Sequence, residues 1–112
     1  MIIMATSKFD PEHERILNAM LADNPVAKAG KMFGYPAYKV NDKLAVGLFD
    51  GGIVVKVGPK RAKELVGQDG IQNFEPMAGR VWKDWVLLTG NFEQNKSIFE
   101  EAVQYVFEET IA

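Results

Sequence analysis

A chain of 112 residues is long enough for one domain that buries roughly two-thirds of its unfolded surface, so no disulfide or metal staple is required. Its composition, 47% hydrophobic and 25% charged, is that of a globular protein, and the absence of Cys excludes disulfides, a thiol nucleophile and a thiolate metal site. The net charge of −2 is unevenly spread: residues 31–63 carry seven bases against two acids and residues 64–112 three bases against nine acids, a polarity that either steers an anionic partner or only solvates a mixed surface.

The opening MIIMATSKFD has a short apolar patch with no basic stretch ahead of it. It predicts no secretory signal, and no run approaches the roughly 18 apolar residues of a membrane span. A cytoplasmic protein that meets no membrane is expected, with Met1 and Met4 both candidate starts. Asp10-Pro11 then opens a helix, Asp capping free N–H groups and Pro fitting the first turn. Ile16, Leu17, Met20 and Leu21 recur at helical spacing, and Asn24-Pro25 ends the helix. Three strand-like runs follow, over 37–40, 43–50 and 53–57, joined by the tight turns Asn41-Asp42 and Gly51-Gly52. Gly58-Pro59 starts a short helix over 59–66, closed by Gly67. Residues 68–80 read as a loop with a short strand near 73–77, and 81–88 as a last strand. A helix over 95–111 carries a stripe of Phe99, Val103, Val106 and Phe107, with Ile98, Ala102 and Ile111 beside it. The expected fold is a single α+β domain spanning 1–112: an antiparallel sheet, made of a three-strand meander plus a later strand, packed against N- and C-terminal helices.

Few residues carry chemistry. His13 is the sole His, expected in solvent in the first helical turn, and no Cys or second His stands ready to share a metal. Ser7 and Ser97 lack the strand-turn-helix elbow of a nucleophile. No catalytic set, metal or cofactor is therefore expected. Gly58-Pro59-Lys60-Arg61 opens a helix with two cations but lacks the pattern of a phosphate-binding loop, so it reads as ordinary helix initiation. Glu100, Glu101, Glu108 and Glu109 read as a solvated face. Lys56 interrupts IVVKV and alternates with Val54, so either that face is half open to water or Lys56 lines a pocket. On the last strand, Val81, Lys83, Trp85 and Leu87 are expected on one face and Trp82, Asp84, Val86 and Leu88 on the other. A Trp beside Arg80 and Lys83 stacks a ligand or fills the core. In KMFGYPAYKV, residues 31–40, Tyr35 and Tyr38 form either a binding lip or the lead-in to the sheet. The candidate binding residues are Lys56, Arg80, Lys83, Trp85 and Tyr38. Specific nucleic-acid binding is not expected, for want of net basic charge and a reading motif.

Four stretches share an order and spacing with one family. They are Met32-Phe33-Gly34, the hairpin around Asn41-Asp42-Lys43, the run Val54-Val55-Lys56-Val57, and Phe74-Glu75-Pro76 followed by Gly79-Arg80 and Lys83-Asp84-Trp85-Val86. Across residues 12–110 the chain resembles the N-terminal domain of the TfoX proteins, except that Val81-Trp82 stands where Pro-Met is common. The resemblance implies an antiparallel sheet with helices packed against it, and marks Met32-Phe33-Gly34 as the family's lead-in to the sheet. It also implies a stand-alone form, because longer members carry a second, C-terminal domain, in a family named for regulators of bacterial competence. A non-catalytic binding or regulatory module is expected, acting through a protein partner or as a homodimer. The alternative is a small-molecule or anion-binding domain using Lys56, Arg80 and Lys83.

Overall fold

A computed structural model describes residues 9–111; the candidate starts Met1 and Met4, and Ser7, lie outside the described residues. The fold is α+β. Helix α1 (Pro11–Leu21) leads to strands β1 (Lys28–Met32), β2 (Tyr35–Val40), β3 (Lys43–Phe49) and β4 (Gly52–Lys56). Helix α2 (Pro59–Leu65), strands β5 (Ile71–Asn73) and β6 (Trp85–Leu88), and helix α3 (Lys96–Ile111) follow. The strands form one sheet in the order β1-β2-β3-β4-β6-β5, every pairing antiparallel. No helix among the described residues is long and apolar enough to cross a membrane.

The expected meander of three strands is a meander of four. β1, the segment KAGKM, buries only Met32 and is an edge strand with Lys28 and Lys31 exposed, the means by which sheets protect a free edge. It shows no apolar alternation because it has one buried neighbour, β2, and little core to face. The short strand expected near 73–77 lies earlier: β5 is Ile71–Asn73 and shares only Asn73 with that span, while 74–77 belong to the following loop. The last strand begins at Trp85 rather than at residue 81.

Helices occupy one face of the sheet. Leu17 and Leu21 of α1, Ala62 and Leu65 of α2, and Phe99, Ala102, Val103 and Val106 of α3 are buried with Val46, Leu48, Ile53, Val55, Val86 and Leu88. α1 starts as its sequence dictates: the Asp10 carboxylate accepts the Glu12 N–H at 2.8 Å. His13 is not a solvated residue. Its side chain is 16% exposed, its ring stands edge-on to Phe92 at 4.9 Å, and its Nδ1 is buried without a hydrogen-bond partner among the described residues. Phe92, in the turn before α3, covers the first turn of α1, and sequence distance hid that contact.

The second face carries its own core. Met32, Ala37, Val54, Phe74, Trp85 and Leu87 are buried together, with Leu44, Phe49 and Trp82 at the margin. Among the described residues no helix covers this core; the loop 74–84 does. The Trp82 N–H donates to the Phe74 carbonyl at 2.9 Å, and the Gly79 N–H to the Glu75 carboxylate at 2.6 Å, which pins the loop across the sheet. Val54 is therefore 0% exposed, and the face on which Lys56 alternates is covered around it.

Tyr38 faces the helices. It is buried, and its hydroxyl donates to Asn18 Oδ1 of α1 at 2.8 Å. Burial, and then the Glu14 carboxylate, raise its pKa above the ordinary tyrosine value. A raised pKa means the folded state favours the neutral phenol. This contribution is whole below the unfolded value near pH 10 and is lost as pH climbs through the folded one. Tyr38→Phe is expected to lose about 0.5–1.5 kcal/mol at neutral pH with the hydrogen bond, yet to show a shallower loss of stability than the wild type above about pH 10. Urea midpoints at neutral and alkaline pH measure both.

Candidate functional site

Phe33 and Gly34 form the two-residue turn between β1 and β2, with Met32 and Tyr35 paired on either side. Such a turn needs positive φ at both central residues, which favours Asn-Gly. The next turn meets that demand with Asn41 and Asp42, at φ of 50° and 69°. The first puts a phenylalanine at φ 55°, with Gly34 at 82°. A side chain in this left-handed region costs roughly 1–2 kcal/mol against the ordinary backbone.

The ring at this strained position is also wet. Phe33 is 54% exposed, yet its ring lies 5.7 Å from Phe49 and 5.6 Å from Trp82. Phe49 in turn meets Phe74 at 4.9 Å, and Phe74 meets Trp82 at 5.3 Å, both edge-on. Trp82 meets Trp85 at 5.9 Å, and Tyr35 joins the series through Phe49. Edge-to-face rings at these distances are mutually favourable. The result is an aromatic floor built by β2, β3, β6 and the loop 74–84, with Phe33 standing on it. The loop that supplies Trp82 also exposes Met77, at 61%, and Val81, at 42%. Desolvation, and then the Asp50 carboxylate, hold the Tyr35 hydroxyl above its usual pKa. The floor offers apolar area and ring faces. Among the described residues no group of three or more His, Cys, Asp or Glu is placed to hold a metal ion.

The five candidate residues do not converge on one place. Tyr38 is buried against α1, facing away from Phe33, so Tyr35 and Tyr38 make no lip. Trp85 is 7% exposed and belongs to the second core. Lys56 lies at the end of β4, where its ammonium meets Glu109 of α3 at 2.9 Å and lines a cleft with Asn41, Lys43 and Thr110. Arg80 is exposed and bridges back to Met77 through its backbone N–H at 2.8 Å. Lys83 lines a different groove, beside α2. The strand alternation expected for 81–88 fails at its start. Trp82 joins Trp85 on the second face because Lys83-Asp84 form a turn, and the Asp84 carbonyl accepts the N–H groups of Val57 and Gly58 at 2.9 and 3.0 Å.

What residue reading missed is the turn at Phe33. KMFGYPAYKV reads as a binding lip or a lead-in to the sheet, and residues 28–32 carry no apolar alternation that marks a strand before the turn. The available signal was a Gly at the second position of a two-residue gap between Met32 and Tyr35. Comparison of the chain with family models, curated proteins and solved structures returned no match.

Proposed function

We propose that this domain is a non-catalytic binding or regulatory module of the TfoX N-terminal type, and that it works by contact with protein, a second copy of the chain being the first occupant. One observation carries the reading: a phenylalanine 54% exposed at a positive-φ turn position, on an aromatic floor. An isolated fold is served better there by Asn or Gly. A ring that is both strained and exposed recovers its cost when another surface covers it. Phe, Trp and Met are the residues enriched at the centres of protein interfaces, and Phe33, Trp82 and Met77 supply them here. The turn is also the Met32-Phe33-Gly34 segment on which the sequence resemblance rests.

The alternative, an anion-binding domain using Lys56, Arg80 and Lys83 as one set, has less geometric support. Lys56 is paired with Glu109, and Lys83 lines another groove.

Photo-cross-linking tests the proposal. Phe33 is replaced by benzoylphenylalanine in the purified chain, with the same substitution at the exposed α3 residue Glu100 as control. A cross-linked dimer from position 33 and not from position 100 is the expected result. Equal cross-linking from both positions, or none from 33, contradicts self-association through this turn.

A further inference from the structure

A second surface, remote in kind from the aromatic floor, has the makings of a ligand site. Between α2 and the segment around Val81 runs a groove of about 570 Å³, within the range of roughly 300–1,000 Å³ typical of small-molecule sites. Its apolar lining includes Ala62, Val66 and Val81, and its charged lining is Lys60, Lys63 and Lys83. Among the described residues no carboxylate lines it. Lys60 and Lys63 are three apart on α2 and so share a face of that helix; Lys83 comes from the turn before β6.

The setting of these three lysines differs from that of the paired cations, and from that of Lys28 and Lys39, whose cleft also holds Asp42. Arg15 pairs with Glu12, Lys56 with Glu109, and Arg61 with both Glu64 and Glu101. Lys60, Lys63 and Lys83 have no ion pair among the described residues, as is also true of Lys28, Lys31, Lys39, Lys43, Arg80 and Lys96, but these three line one groove together. Arg61, set between two of them in sequence, turns to α3 and holds α2 in place by its bond to Glu101 at 2.9 Å. Three like charges thus share one groove without a counter-charge, while an apolar floor beneath them stays partly in water, Val81 at 42%. Three ammonium groups complement a dianion better than a monoanion, and Lys suits phosphate as a point charge. The floor asks for an apolar body attached to that head.

We infer that this groove binds a small phosphate monoester carried on an apolar body. The inference goes beyond the binding-module reading and stands on different residues, so the two fail separately. Phenyl phosphate is the probe. Titrated into the isotope-labelled chain, it is expected to shift the backbone amides of α2 and residues 81–83 saturably. Inorganic phosphate, lacking the apolar body, is expected to bind at least about tenfold more weakly on the same amides, since removing buried apolar area costs at least that much. The double variant Lys63→Gln, Lys83→Gln is expected to weaken phenyl phosphate at least about tenfold, its unperturbed amide dispersion showing that the fold is intact. If that variant misfolds, Lys60→Gln alone is used, and a weaker but saturable titration is expected. Shifts that do not saturate, that centre elsewhere, or that persist unchanged in a folded variant overturn the inference. Binding confined to phosphatidic acid vesicles or to a phosphoserine peptide, with phenyl phosphate silent, overturns the small-molecule class.

Discussion

Phe99→Ala is expected to destabilise the chain by about 3–5 kcal/mol, the usual cost of truncating a fully buried Phe. Phe99 is 0% exposed, sits on α3 against the helix face of the sheet, and its ring approaches Phe92 at 6.5 Å. The cavity left behind would be lined by strand residues that cannot collapse, because β3 and β4 are hydrogen-bonded on both sides. For a domain stable by roughly 5–15 kcal/mol, this removes about a fifth or more of the total. Phe107→Ala is the useful comparison. The helical stripe suggests equal weight for the two rings, but Phe107 is only partly buried, and its loss is expected to cost about 2 kcal/mol or less. Urea unfolding of the two variants ranks them; equal costs contradict this account of α3.

Gly52→Ala is expected to cost about 3 kcal/mol, the upper end for overpacking. A Cβ at Gly52 would stand 2.0 Å from the Leu88 carbonyl oxygen, and 3.2 Å from a Leu87 methyl carbon. The side chain can move away; the carbonyl belongs to β6 and cannot without separating β4 from β6, whose paired residues Ile53 and Leu88 are both 0% exposed. Gly51→Ala is the control. Gly51 lies in the turn at φ 85° with nothing within 4 Å of an added Cβ, so only the left-handed backbone penalty of about 1 kcal/mol applies. Both variants belong in the same thermal unfolding experiment. A Gly52 variant no worse than the Gly51 variant contradicts the close approach of β4 and β6.

Three strands and the turn at Asn41-Asp42 are readable because their signals are local. The alternation of Val46 with Leu48 and of Ile53 to Val57, with Asn41-Asp42 as a turn, fixes β2, β3 and β4 to within about two residues. Leu44 falls on the second face, past a bulge between Tyr38 and Lys39. The next turn is Asp50-Gly51 rather than Gly51-Gly52, since Gly52 pairs with Phe49. The Phe99, Val103 and Val106 spacing likewise fixes α3. β1 was unreadable because KAGKM gains its order from hydrogen bonds to β2 and buries one side chain, so nothing in its own pattern marks it. The start of β6 was misread for the converse reason. Residues 81–84 have strand-like composition, but their backbone groups are committed to Phe74, Val57 and Gly58. The candidate site fared worse than the fold. Lys56 stands out in the sequence as a charge beside a run of apolar residues, but its partner Glu109 lies 53 residues away. Lys83 was noted beside Trp85, whereas it joins Lys60 and Lys63 only through the packing of α2. Exposure of Phe33 depends on a backbone angle and on the loop 74–84, neither visible in the turn itself.

The most direct test of the central claim is Phe33→Asn, read for stability and for association together. The change relieves a left-handed penalty of about 1–2 kcal/mol and gives up two ring contacts worth about 0.5–1.5 kcal/mol each. These nearly cancel, so the urea midpoint is expected to move by less than about 1 kcal/mol in either direction. Sedimentation velocity over a concentration series is expected to show the wild type associating and the variant weakened at least about tenfold, as for loss of an aromatic anchor. A variant that loses more than about 2 kcal/mol of stability while associating as the wild type does would show that Phe33 serves the fold and not a contact.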